Sequence, residues 1–208
     1  MSEPHQLREF WNDRYRQEGF AYGSEPNVFV RAQAHLIPSG SVLCLAEGQG
    51  RNAVYLAKLG HTVTAVDLSS IGLQKAREFA IESGVSLETY ATDLAEFQIE
   101  ADAWQGIIST FAHISPVVRN RIHRQVVRGL ARGGVFILEA YTARQLETKG
   151  TGGPGRAHAD TLMSLLDLRE ELTGLTFLHA KELERKVVEG RFHSGIGAVV
   201  QIVAWRDA

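Results

Sequence analysis

The stretch from Ser41 to Asp67 limits what this chain can be more than any other. SVLCLA is a short apolar run, EGQG is a turn carrying Gly48 and Gly50, and RNAVYLAKLG has apolar residues on one helical face with Gly60 as its stop. TVTAV then ends at Asp67. A strand, a tight glycine turn, a helix and a second strand closing on an acid form the opening unit of a parallel sheet. The two glycines let the backbone turn sharply and let a ligand approach it, and the helix that follows offers exposed N–H groups as a polar cradle. A carboxylate about 20 residues further on stands where it can bridge the two hydroxyls of a ribose. Singly these are weak signs, since a glycine pair after an apolar run is often only a strand-to-helix turn. Jointly they point to an adenosine-containing cofactor.

The remaining chain extends the same pattern. Residues 4 to 18 place Leu7, Phe10, Trp11 and Tyr15 at helical spacing, and an irregular segment, Ala21 to Asn27, follows. Ser69 can cap a helix running through Phe79 toward Gly84, with Lys75 and Arg77 outward. SLETYA closes at Asp93, and GIIS, preceded by Trp104, runs into FAH. Pro116 opens a helix of period 3.6 (Val117, Ile122, Val126, Val127, Leu130) that is predicted to stop at Gly133 and Gly134, and VFILEA is a fifth strand. Strands alternating with helices at this pace call for a mostly parallel, doubly wound α/β sheet with right-handed crossovers. After a helix around Thr161 to Leu172, LTFLH, LERKVVE and AVVQIVAW arrive with no helix between the last two and with Gly190, Gly195 and Gly197 in the connection. The sheet is thus predicted to end in an antiparallel hairpin. Lys149 to Gly155, KGTGGPG, reads as a mobile, lid-like loop.

A chain of 208 residues fits one domain, read as 1–208 with a helical cap segment (1–39) and a Rossmann-like core (40–208). Twenty-two Lys and Arg against 24 Asp and Glu give a net charge of -2, so no global field gathers nucleic acid. Arg119, Arg121, Arg124, Arg128 and Arg132 make one helix basic without interleaved aromatics, which is read as a solvated face, and His123 as a surface residue. Cys44, the sole cysteine, permits no internal disulfide and suits a reducing compartment. No signal peptide or membrane span is evident, so the cytoplasm is expected. No H-x-x-x-H, C-x-x-C or clustered carboxylates suggest a metal, and no G-x-S-x-G suggests a hydrolase.

Gly48, Gly50 and Ala53 also satisfy G-x-G-x-x-A, so a nicotinamide-dependent oxidoreductase is the rival reading. Three features oppose it: about forty residues precede the first strand, Asp93 and Leu94 end the third strand as an acid followed by an apolar residue suited to an adenine ring, and the sheet closes with a hairpin.

Over nearly its whole length the chain resembles the class I S-adenosylmethionine-dependent methyltransferases, nearest to the small bacterial tellurite-resistance and thiopurine branch. FWNDRY, YGSEPN, EGQGRNAVYLAKLGHTVTAVD, TDL, ISTFAH and LARGGVFILEAY carry the likeness. It departs from the family's D-x-G-x-G-x-G at Cys44 and Ala46, where the first acid and first glycine are missing. The resemblance implies a seven-stranded methyltransferase fold that moves a methyl from S-adenosylmethionine to a small molecule and leaves S-adenosylhomocysteine. Soft acceptors, sulfur or a chalcogen oxyanion, follow from the likeness only. It further implies Asp67 on the ribose with Leu68 beside it, Asp93 and Leu94 on the adenine, and Ser109 with Phe111 at the rim of the methionine part. Ala46, Glu47, Gly48, Gln49, Gly50 and Asn52 would line the turn, Glu47 supplying the displaced carboxylate for the cofactor's amino group.

The methyl is already activated, so the protein must chiefly align a nucleophile and exclude water. Aromatic faces can hold a sulfonium, and Trp11, Tyr15, Tyr22 and Phe111 are candidates, of which Tyr22 is assigned to the site and Trp11 and Tyr15 to helix packing. His113 follows the fourth strand at the sheet's ligand edge and could accept a proton; Glu139 and Tyr141 leave the fifth strand at the same edge. His158 falls in the lid-like loop and His193 in the hairpin turn. A non-catalytic S-adenosylmethionine-binding module is the other alternative, and the oligomeric state is left open.

Overall fold

The computed structural model describes residues 3–207, so residues 1, 2 and 208 of the expected domain lie outside it. Helices α1 (Glu3–Arg16) and α2 (Val28–Gln33) precede a seven-stranded sheet built from β1 (Ser41–Leu45), β2 (Thr62–Asp67), β3 (Glu88–Ala91), β4 (Trp104–Thr110), β5 (Leu130–Tyr141), β6 (Thr176–Glu189) and β7 (His193–Trp205). Between them run α3 (Arg51–Lys58), α4 (Ser70–Glu82), α5 (Pro116–Gly129) and α6 (Leu165–Glu171). The strand order is β3-β2-β1-β4-β5-β7-β6, with the first five parallel and β7 antiparallel to both its neighbours. This is the seven-stranded Rossmann-like methyltransferase fold expected from the sequence.

The strand periodicity of two decides which core each side chain joins. Val42 and Cys44 of β1 pack with Leu56 of α3 and Leu73 of α4, whereas Leu43 and Leu45 pack on the opposite face with Ile122 and Val126 of α5 and Leu168 of α6. Ser69 caps α4 by accepting the Gly72 amide at 3.0 Å, as its position predicts, and Gly60 ends α3 with φ +93°.

Several local expectations shift. The Pro116 helix stops at Gly129, and Val117 points to solvent instead of the core. The helix expected from Thr161 to Leu172 shrinks to Leu165–Glu171, capped by Ser164, because the backbone at Leu162 and Ser164 is extended. LTFLH and LERKVVE are one strand, β6, carried past an irregularity between Phe177 and His179 by continuous pairing with β7. In α1, Leu7 and Phe10 face outward while Asn12 and Tyr15 are buried, because the helix packs on a glycine-lined surface that admits an aromatic ring. A Cβ at Gly48 or Gly72 would come within 2.5 and 2.9 Å of the Tyr15 ring system, respectively. Among the described residues, no helix is long and apolar enough to cross a membrane.

Candidate active site

Strand order reverses between β1 and β4, and the crevice beyond the carboxyl ends of such strands is where open α/β sheets bind ligands. Beyond β1 the backbone turns through left-handed conformations at Ala46 (φ +51°), Gly48 (φ +63°) and Gly50 (φ +87°). Ala46 holds such a φ without being glycine, at the very place where the family pattern has its first glycine. Asp67 locks this turn to β2, its Oδ2 accepting the Gly48 amide and its Oδ1 the Ser69 amide, each at 2.8 Å. Glu47 caps α3, its Oε1 accepting the amides of Asn52 and Ala53 at 2.8 Å each. The two carboxylates are buried. Burial pushes Glu47 up to about 7 despite the Ala53 amide and the Arg51 charge. Burial likewise pushes Asp67 up to about 6 against the Ser69 and Gly48 amides.

The other turn residues reach back to the N-terminal segment. Gln49 accepts the Ala21 amide at 2.7 Å and donates to the Gly19 carbonyl at 3.0 Å. Asn52 accepts the Asn27 amide at 2.9 Å and donates to Thr110 Oγ1 at 3.0 Å. Gly50 behaves differently from expectation. Its Cβ direction runs into Ala76 of α4 at 2.7 Å, so this glycine serves close helix packing instead of leaving room for a ligand.

Asp93 and Leu94 lie beyond β3, next to the Asp67 backbone, where Thr92 donates to the Asp67 carbonyl at 3.0 Å. Asp93 is half-buried, Leu68 is half-buried, and Leu94 is buried with the core on the α5 side. Ser109 is buried opposite Leu45. Phe111 follows with φ +53°, half-buried at the crevice.

Past Phe111 the crevice becomes aromatic. Phe111 lies 4.7 Å from Tyr141 and 4.6 Å from His193 between ring centroids, and Tyr22 lies 4.5 Å from His193. Tyr22 also accepts a hydrogen bond from Arg14 at 2.7 Å. The structure thus groups Glu47, Gly48 and Asp67 at one end, and Tyr22 and Phe111 with Tyr141 and His193 at the other. Trp11 stacks on Tyr15 within α1.

His113 stands under Tyr141 but both its nitrogens are engaged. Nδ1 sits 3.2 Å from the Thr161 carbonyl, and Nε2 accepts the Tyr141 amide at 3.3 Å. Burial lowers it to about 4. As placed, it has no lone pair to offer a nucleophile and ties the β4 and β5 ends to the segment before α6.

Behind the aromatic group lies a buried ion network that no local pattern signals. Glu139, fully buried, accepts from Arg185 Nε at 2.7 Å, from Asn27 Nδ2 at 2.6 Å and from Gln201 Nε2 at 2.6 Å. Glu189 pairs with Arg51 at 2.7 Å and Arg185 at 2.8 Å. Arg51 and Arg185 outweigh burial and hold its carboxyl well below the usual range. Glu139, expected at the ligand edge, is therefore spent on structure. On the α5–α6 side, Arg119 and His123 are buried, not on a solvated face: both grip Glu171, at 2.8 and 2.6 Å. Arg121 donates to the Leu94 and Phe97 carbonyls.

Residues 42–134 match the family model described as a methyltransferase domain. A 2-heptyl-1-hydroxyquinolin-4(1H)-one methyltransferase from Mycobacteroides abscessus is 32% identical over 102 residues, which cover 48% of this chain and 45% of that one, so the chain spans less than half the length of that curated relative. Two solved structures share the fold. TehB from Haemophilus influenzae has a TM-score of 0.69 at 20% identity, covering 96% of this chain and 67% of its own. A TehB-like S-adenosylmethionine-dependent methyltransferase from Corynebacterium glutamicum has 0.61 at 20% identity, covering 98% of both. Residues 42–134 thus carry a sequence likeness to a methyltransferase domain, and the chain as a whole has the fold seen in class I S-adenosylmethionine-dependent methyltransferases.

Proposed function

We propose that this protein transfers the methyl group of S-adenosylmethionine to a small-molecule acceptor and releases S-adenosylhomocysteine. The observation that carries the reading is the pair of buried carboxylates, Asp67 and Glu47, flanking the glycine turn where the sheet order reverses. Burial outweighs the backbone amides at both, and the Arg51 charge at Glu47, and holds both above the usual carboxylate range, so a further positive charge beside them is favoured. A ligand bearing hydroxyl donors, an ammonium and a sulfonium supplies that charge, so these residues fit the cofactor.

When bound, the cofactor brings an activated sulfonium methyl. Asp67 would hold its ribose hydroxyls, and Asp93 with Leu68 the adenine side. Glu47 and the amides of the turn would take the methionine end. Tyr22 and Phe111 offer aromatic faces to the positive charge. The N-terminal segment, fastened by Gln49 and Asn52, shuts water out, and exclusion together with alignment is what this chemistry asks of a protein. The hydroxyquinolinone in the name of the mycobacterial relative supports a small-molecule acceptor. We further read the chain as one cytoplasmic domain, its residues 1–39 acting as a cap.

Calorimetric titration with S-adenosylmethionine, S-adenosylhomocysteine and NADH tests the reading. Micromolar binding of the two sulfur nucleosides and none of NADH is expected. Binding of NADH alone would overturn it in favour of a nicotinamide enzyme, and nucleoside binding without turnover of any acceptor would reduce the protein to a binding module.

A further inference from the structure

Along the ligand edge, Asp67 ends β2, the glycine turn follows β1, Phe111 follows β4 and Tyr141 ends β5, and these strands are neighbours in this order. A nucleoside held at Asp67 therefore directs its reactive end toward Phe111, and the next surface in line is the group formed by Tyr141, His193 and Tyr22. Three polar atoms there are buried without a hydrogen-bond partner: Tyr141 Oη, His193 Nδ1 and Glu189 Oε2. Nδ1 is 4.0 Å from Glu189 Oε2, too far for a hydrogen bond. His193 Nδ1 and Glu189 Oε2 face each other, whereas buried polar groups are nearly always paired, so the unpaired Tyr141 hydroxyl in this ring cluster marks a place for a ligand.

This surface is covered by a glycine roof. Gly152 and Gly153 lie on the Tyr141 ring so closely that a Cβ at Gly152 would come within 2.5 Å of Tyr141 Oη, and one at Gly153 within 2.8 Å of the ring. The loop is pinned by the reciprocal amide pair of Thr151 and Ser194, at 2.6 and 3.1 Å, and by Gln145 Nε2 on the Gly152 carbonyl at 3.3 Å. Neither glycine brings a polar side chain to satisfy the atoms beneath.

The walls also fix the acceptor's chemistry. They are ring faces from Tyr22, Phe111, Tyr141 and His193. The charges behind them are balanced, Arg51 and Arg185 being committed to Glu139 and Glu189. An oxyanion would find its cations already neutralised, whereas a flat neutral ring finds stacking surfaces and one hydrogen-bonding hydroxyl.

Resting on the methyltransferase reading above, we propose that the loop at Gly152 and Gly153 lifts off Tyr141 to open the acceptor site, that this site takes a neutral planar aromatic bearing a hydroxyl, and that Tyr141 Oη orients this hydroxyl while His193 receives its proton. In the transfer, a lone pair of the hydroxyl oxygen forms the O–CH3 bond as the bond from that methyl to sulfur breaks. The breaking pair stays on sulfur and neutralises the sulfonium. The hydroxyl proton passes to Nε2 of His193, and the resulting imidazolium faces the Glu189 carboxylate on its Nδ1 side.

The test uses the full chain loaded with S-adenosylhomocysteine, whose binding is measured first. No binding of this nucleoside would remove the methyltransferase reading and this proposal with it. With the nucleoside bound, 2-naphthol is expected to bind, while 2-naphthoate, of the same ring but anionic, and selenite are not. Binding of 2-naphthol should speed hydrogen exchange at the Thr151 and Ser194 amides as the roof opens. Tyr141→Phe should weaken 2-naphthol about tenfold, the effect of one hydrogen bond, with nucleoside affinity unchanged. His193→Gln should leave 2-naphthol affinity within about twofold and slow its methylation by about 100-fold or more, as loss of a general base does. Selenite or 2-naphthoate binding in preference to 2-naphthol would overturn the acceptor class, and so would 2-naphthol binding that leaves the two roof amides and the Tyr141→Phe affinity unmoved. Full methylation activity in His193→Gln would remove the proton-accepting role.

Discussion

Oδ2 of Asp67, at the end of β2, accepts the amide proton of Gly48 at 2.8 Å, so the residue that closes one strand shapes the turn that follows its neighbour. The carboxylate is thereby aimed at the crevice with one backbone donor on each oxygen, and burial raises it to about 6, with Glu47 beside the same turn at about 7. A cationic ligand at this place favours both carboxylates in their ionised forms and drives their protons off. Binding of S-adenosylmethionine at pH 6.5 is expected to release protons, and the release should fade toward pH 8, where both groups are already ionised. Titrations at pH 6.5 in buffers of different ionisation enthalpy measure this directly; a binding enthalpy independent of buffer would contradict it.

The same shift makes Glu47 a group that folding prefers protonated. Its folded value lies above the unfolded one, so its contribution to stability is greatest below about pH 4.5 and is lost as pH rises to about 7. Glu47→Gln keeps an oxygen for the Asn52 and Ala53 amides but does not ionise. Its melting temperature relative to the wild type is expected to improve from pH 5 to pH 8. A difference that stays flat across this range would refute the assignment.

Gly50 was legible as a cradle glycine, yet its Cβ direction meets Ala76 of α4 at 2.7 Å. Gly50→Val should therefore destabilise the whole fold, by about 2 kcal/mol or more from overpacking and a left-handed φ, instead of only blocking a ligand. Gly50→Ala paired with Ala76→Gly relieves the contact and should recover part of the loss in denaturant melts. Equal instability of Gly50→Ala with and without the Ala76 change would show that backbone strain alone is responsible.

Glu139 is fully buried among Arg185, Asn27 and Gln201. Glu139→Ala leaves Arg185 with half its partners and is expected to cost about 3 to 5 kcal/mol. Loss of methylation in this variant should track the unfolded fraction. A stable, inactive Glu139→Ala protein would instead place the carboxylate in the chemistry.

His113 holds the Thr161 carbonyl and the Tyr141 amide. His113→Ala is expected to lower stability by about 1 to 3 kcal/mol, since it removes the partner of two part-buried backbone groups, while leaving the pH dependence of kcat unchanged. Disappearance of an acid limb from that profile would restore His113 as the base.

What the sequence discloses is what depends on neighbours along the chain. The turn after β1, the cap at Ser69 and the acid at Asp67 follow from spacing within one βαβ unit. The hairpin follows from two β-rich runs joined by a short glycine-bearing turn. What it conceals depends on residues far apart. Asn27 meets Glu139 and Glu189 across separations of 112 and 162 residues, and no periodicity encodes such a pairing. Likewise Arg119 and His123 look like ordinary polar helix positions until α6 delivers Glu171. One partner of His193 is Tyr22, from the other end of the chain, so its place in the aromatic group is visible only once the sheet has formed.

The strands of the final hairpin outrun β5, since Tyr141 already pairs with Val199 and the six residues before Val199 in β7 continue past it with β6. This overhang brings Glu189 to Arg51 and sets Arg191 against the Ala21 carbonyl. Early and late segments of the chain thus clasp each other over a crevice made by its middle. A ligand bound there acts as a checkpoint on assembly: it has a site only after the last strand is paired, and holding it ties together the segments that would peel away first.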